Sequence, residues 1–231
     1  MGAEVSRGVA GRSSRPPCPT MGLACLLAAV LTLGAGTAIG ADAGEPTAEE
    51  LVQALLSGKA PVGGPFELID HTGQRRTDAD FRGKLMLIYF GFTHCPDVCP
   101  TELLAISVAL EKLGPAASAV QPLFITVDPE RDTPAVLAEY VSSFHPRLVG
   151  LTGEFAAIKT VAHAYKTYFA KSAVTNSAVT ASAGGSPDNY SVDHTGFIYV
   201  VGPDGRYRGF LPPQLAPEQI AEAIRPFLGR E

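Results

Sequence analysis

Cysteine is scarce in this chain, and its distribution makes it scarcer still. Of four cysteines in 231 residues, Cys18 and Cys25 fall in an N-terminal leader. The folded body is left with Cys95 and Cys99 alone, which excludes a framework of structural disulfides. The same count excludes an iron–sulfur cluster, which takes four protein ligands. Basic blocks are also missing, and a net charge of -5 argues against nucleic acid as a partner. No internal repeat occurs, and the length suits one domain plus a tail rather than two domains.

What is present begins with the leader, residues 1–41. Arg7, Arg12 and Arg15 precede an uncharged stretch from Pro16 to Ala41 whose apolar heart is Met21 to Ile39. A membrane span takes about 20 apolar residues and a signal peptide core about 7–15, so this segment stands at the boundary between anchor and signal. Ala38 and Gly40 offer a small-x-small cleavage site, and Met21 offers an alternative start. Both readings leave the arginines in the cytoplasm and export the body, with a retained anchor favoured. The expected location is the bacterial periplasm, inner-membrane-anchored or secreted, or, in a eukaryote, the mitochondrial inner membrane facing the intermembrane space.

Residues 42–63 read as a linker containing a short helix, opened by the capping-box pattern Thr47-Ala48-Glu49-Glu50. The domain proper spans 64–231. Phe66 to Asp70, the turn at His71-Thr72-Gly73 and the polar run after it predict a hairpin. Leu85 to Phe90 and Leu123 to Val127 are unbroken apolar runs, the pattern of strands covered on both faces. Leu103, Ile106, Leu110 and Leu113 recur at helical spacing, with Gly114 as a stop. Asp132-Thr133-Pro134 predicts a cap and first turn for a helix running to about Phe144. Leu148 to Leu151 is a short strand, and Thr152 is expected to cap a helix lined by Phe155, Ile158, Ala162, Tyr165 and Phe169. Ser172 to Asn189, small and polar, reads as one long loop. Pro203-Asp204-Gly205 joins Gly196–Val201 to Arg206–Leu211 as a hairpin. Pro217 opens a last helix that buries Ile220, Ile224 and Phe227. The order implies an α/β fold, a central mixed sheet flanked by helices and preceded by a hairpin extension. Thiols at the end of the first central strand fit a thioredoxin-like arrangement.

Those thiols lie in Phe90-Gly91-Phe92-Thr93-His94-Cys95-Pro96-Asp97-Val98-Cys99-Pro100-Thr101-Glu102. Residues four apart on a helix have Cβ atoms about 5–6 Å apart, whereas a disulfide wants about 3.5–4.5 Å. Two thiolates about 2.3 Å from one metal sit roughly 4 Å from each other, which suits the spacing better. Structural zinc wants four ligands, and copper accepts two thiolates and an imidazole. Five histidines compete for the third place. His71 reads as a turn residue, His145 as a helix C-terminal residue facing the dipole, His163 as half-buried and structural, and His94 as pointing away from the sulfurs. His194, in Val192-Asp193-His194-Thr195-Gly196, follows the long loop at the mouth of a strand, and its structural and ligand readings stand level. Asp97, Asp128 and Asp193 read as caps or turn residues at least as readily as ligands of Cu(II) or groups that orient His194.

The cysteine stretch, Val127-Asp128-Pro129-Glu130-Arg131-Asp132-Thr133-Pro134, Val192-Asp193-His194-Thr195 and Pro203-Asp204-Gly205 resemble the signature segments of the Sco/SenC family, from about Phe66 to the C-terminus. The resemblance implies a thioredoxin-like domain, usually membrane-tethered, that binds copper as Cu(I), and also as Cu(II), through Cys95, Cys99 and His194. It implies a carrier rather than an enzyme. The partner it implies is the binuclear copper site in subunit II of cytochrome c oxidase, with another copper chaperone or a thiol reductant as a further one. Ser172 to Asn189 is longer and poorer in charge than is usual there. Two other functions compete. One is a thiol–disulfide oxidoreductase using Cys95 and Cys99 on exported proteins. The other is a peroxidase, because Val98-Cys99-Pro100-Thr101-Glu102 resembles a peroxiredoxin segment, although Pro96 replaces the threonine expected before that cysteine.

Overall fold

An apolar run without alternation needs cover on both faces, and Leu85–Gly91 finds it as strand β3, with all seven residues buried. The computed structural model describes residues 62–173 and 190–228. The leader, the linker with its short helix, and positions 174–189 of the long polar stretch lie outside the described residues. β4 (Val120–Thr126) runs parallel to β3, in register from Leu85 opposite Val120 to Gly91 opposite Thr126. β5 (Val149–Thr152) continues the parallel set. On one side the predicted hairpin, β1 (Glu67–Asp70) and β2 (Arg75–Thr77), joins antiparallel to β5. On the other, β8 (Ile198–Val201) and β9 (Tyr207–Leu211) add an antiparallel hairpin to β3. The result is a seven-stranded mixed sheet, β2-β1-β5-β4-β3-β8-β9.

Helices α1 (Val98–Leu113), α2 (Pro134–Val141), α3 (Phe155–Ala164) and α4 (Pro217–Ile224) flank it. Successive residues of β3 face opposite ways. Tyr89 stacks on Phe124, whose ring lies 5.5 Å from Tyr140 of α2. Phe90 turns to the other face and packs on Tyr165 at the end of α3, 5.7 Å away. No helix among the described residues is long and apolar enough to cross a membrane.

Several boundaries differ from the sequence expectation. α2 stops at Val141 rather than near Phe144, and Ser142 donates its hydroxyl back to the Glu139 carbonyl. Thr152 belongs to β5, and Glu154 holds the N-cap position of α3. That helix ends before Lys166, whose φ of 58° leaves the right-handed region. Phe169 is therefore not on the helix but in β6 (Phe169–Ala173), which pairs antiparallel with β7 (Tyr190–His194). Ser172, read as the start of a loop, is a strand residue opposite Ser191. Phe155, His163 and Phe227 are exposed rather than buried or half-buried.

Candidate metal centre

The chain leaves β3 at Gly91, turns through Phe92 to Asp97 and enters α1 at Val98. The first N–H groups of a helix have no intrahelical acceptor, and here the amide of Cys99 donates to the Cys95 sulfur at 3.4 Å. Cys95 is partly exposed, Cys99 is fully buried, and both thiols are free. Gly91 is required by this packing. A Cβ there would lie 2.9 Å from Cys99 Sγ and 2.8 Å from the Phe124 ring. Tyr89 donates its hydroxyl to Cys99 Sγ at 3.8 Å.

His194, the last residue of β7, brings Nε2 to 3.4 Å from Cys99 Sγ. Its Nδ1 lies 3.1 Å from the Thr195 carbonyl. A carbonyl can only accept, so in the neutral ring Nδ1 carries the proton and Nε2 keeps its lone pair toward the sulfurs. Tyr89 and Phe92 meet the imidazole edge-on, 6.1 Å and 5.9 Å between centroids, which fixes its plane.

The two sulfurs differ in proton affinity. The Cys99 thiol, donating to Cys95, holds the Cys95 pKa far below the ordinary thiol value against the opposing effect of burial; the amides of Cys99 and Asp97 add to it. The Cys99 pKa is pushed far up by the same hydrogen bond and by burial. The pair behaves as one thiolate and one thiol sharing a proton. Among the described residues, no group of three or more His, Cys, Asp or Glu side chains has the spacing of a metal site. Cys99 Sγ meets His194 Nε2, and the Cys99 amide meets Cys95 Sγ. As a donor set, two sulfurs and an imidazole fit a soft ion.

The sequence reading missed what braces this centre. Asp132, read only as part of the helix start Asp132-Thr133-Pro134, is fully buried. Its carboxylate accepts the amide of Thr93 at 3.0 Å, the hydroxyl of Thr93 at 2.6 Å and that of Thr126 at 2.5 Å. Thr133 caps α2, as the proline at its first position implies, accepting from the Val136 amide. Asp128 is buried too, bonded to Arg131 and accepting the Tyr190 hydroxyl at 2.7 Å. The Tyr190 ring lies beneath the Arg131 guanidinium at 3.7 Å and near Lys171 Nζ at 4.4 Å. One loop, 128–132, thus grips both the cysteine turn and the strand that ends in His194. Asp97 and Asp193 are exposed. His94 meets Thr93 and Asp132 rather than the sulfurs. The ring nitrogens of His71 and His145 accept backbone amides, from Gly150 and Arg147.

A family model described as SCO1/SenC matches residues 55–229. The chain belongs to the SCO1/SenC family. This Sco-family chain is 40% identical over 223 residues to the bovine (Bos taurus) "Protein SCO2 homolog, mitochondrial", covering 93% of the chain and 79% of that protein. It is 46% identical over 166 residues to the zebrafish (Danio rerio) protein of the same name, covering 70% of the chain and 55% of the relative. The chain therefore spans between about half and four fifths of the length of these relatives. Among solved structures, Bradyrhizobium japonicum ScoI with copper bound superposes with a TM-score of 0.63 at 42% identity, covering 72% of this chain and 99% of that one. The fold is the thioredoxin-like fold of Sco proteins, as the placement of the thiols and the family resemblance implied.

Proposed function

We propose that this chain is a copper carrier that takes up one Cu(I) through Cys95, Cys99 and His194 and serves assembly of the binuclear copper site of cytochrome c oxidase. The observation that carries the reading is the meeting of Cys99 Sγ with His194 Nε2 at 3.4 Å across 95 residues of sequence. The copper held by the Bradyrhizobium relative and the resemblance of the signature segments support it. Copper here is cargo, so the protein's task is to hold it and let it go. Two thiolates and a neutral imidazole suit a soft monovalent ion, and the partial exposure of Cys95 leaves one donor within reach of an acceptor. The leader would hold the domain to the membrane on its exported side.

The test is a titration of Cu(I) into the reduced chain and into His194→Ala. One copper per wild-type chain is expected, with affinity in the variant at least about tenfold lower. Equal affinity overturns the three-ligand site. A dithiol reductase is the second reading, favoured by the asymmetry between an accessible low-pKa Cys95 and a buried Cys99. Reduction of insulin at rates typical of dithiol oxidoreductases, unchanged in His194→Ala, would put that reading first. A peroxidatic Cys99 would need an exposed thiolate, whereas Cys99 is buried and held protonated.

A further inference from the structure

We infer that Glu102 is a positioning residue for the copper site, acting through the turn at Pro212, Pro213 and Gln214 on the segment that carries His194. The inference rests on the reading of Cys95, Cys99 and His194 as ligands. Glu102 lies on α1 three residues beyond Cys99 and is 1% exposed. A carboxylate so buried is costly unless something bonds to it. Its Oε1 accepts the backbone N–H of Gln214, while Oε2 has no partner among the described residues. Gln214 has a φ of 64°, a left-handed conformation that a non-glycine residue keeps only where its surroundings impose it. Between α1 and this turn runs a cleft of about 480 Å³ lined by Leu104, Val108 and Leu215. Apolar packing does not close that gap, and the Glu102–Gln214 bond spans it.

From Gln214 the path continues to the histidine. Ile198 pairs with Leu211, one residue before Pro212, and a Cβ added to Gly196 would sit 3.6 Å from Pro213 Cβ, so the turn runs alongside the segment. Phe197 packs at a tilt on Phe210 with 4.5 Å between centroids. Gly196 follows Thr195, whose carbonyl takes the Nδ1 proton of His194. Glu102 thus ties the helix of the buried cysteine to the main chain that orients the imidazole, without touching any of the three donors.

The experiment compares Glu102→Met, which keeps the length but no acceptor, with Glu102→Gln, which keeps the accepting oxygen. Both are made in the otherwise native full chain and in His194→Ala. Cu(I) affinity is measured by chelator competition, and imidazole nitrogen coupling from Cu(II) spectra. Glu102→Met should lower Cu(I) affinity about tenfold and weaken the nitrogen coupling, Glu102→Gln should stay near wild type, and neither should change affinity once His194 is gone. An equal loss in both backgrounds, or no loss in either, overturns the inference. If Glu102→Met does not fold, Glu102→Asp, one methylene short of Gln214, must show the same His194-dependent loss, and its absence overturns the inference. A wild type that binds no more tightly than His194→Ala would instead overturn the ligand reading itself.

Discussion

Cys95 and Cys99 are one residue type with proton affinities moved apart, by the hydrogen bond between them and by the burial of Cys99. With the Cys95 pKa lowered and that of Cys99 raised, the pair at neutral pH holds one proton, on Cys99. Binding Cu(I) to both sulfurs expels that proton, so affinity should rise with pH. The window runs from the lowered pKa of Cys95 to the raised pKa of Cys99. Between about pH 7 and 8 the expected slope is about tenfold per unit, one proton released. Two thiols of ordinary pKa would release two protons there, about a hundredfold per unit. Competition with a chelator of known pH dependence measures the slope, and a value near the higher figure would show that the two sulfurs are equivalent.

At the scale of elements, the loop 128–132 matters more than its sequence suggests. Asp132→Ala leaves the Thr93 amide and the Thr126 hydroxyl without their acceptor in a buried place, a loss of about 2–4 kcal/mol. Urea denaturation should record it, and Cu(I) affinity should fall with it because the cysteine turn loosens. A stability change below about 0.5 kcal/mol would mean that the carboxylate braces nothing. Asp132 was not legible because Asp-Thr-Pro has the local form of a helix start, and burial against a turn 39 residues earlier leaves no mark on that pattern. The elements that were legible carry their own period: β3 and β4 as unbroken apolar runs, α1 through Leu103, Ile106 and Leu110. β6 was missed because Phe169 falls four residues after Tyr165, in phase with the helix, and its partner strand lies beyond the long polar stretch. The cysteines announced themselves by spacing. His194 did not, since nearness across 95 residues belongs to the tertiary fold; elimination left its ligand and structural readings level, and the family resemblance decided between them.

For the whole molecule, the three proposed donors join the start of α1 to the end of β7, segments held together only through folding. An ion bound there stabilises the folded state by mass action. At free Cu(I) a hundredfold above the dissociation constant this is about 2.7 kcal/mol, or roughly 5–10 °C in Tm for a domain of this size. Scanning calorimetry under anaerobic, reducing conditions should show the shift in the wild type and a much smaller one in Cys99→Ser. A wild-type Tm indifferent to Cu(I) would mean that the ion does not bridge the two segments. The unequal depth of the two sulfurs has a further consequence. Cys99 is sealed beneath Tyr89, Phe124 and Gly91, whereas Cys95 and His194 are partly exposed, so those two residues would offer the open side of an ion held there. On the proposed ligand reading, an ion held there would have its outer donors, Cys95 and the half-buried His194, open to exchange before the inner sulfur.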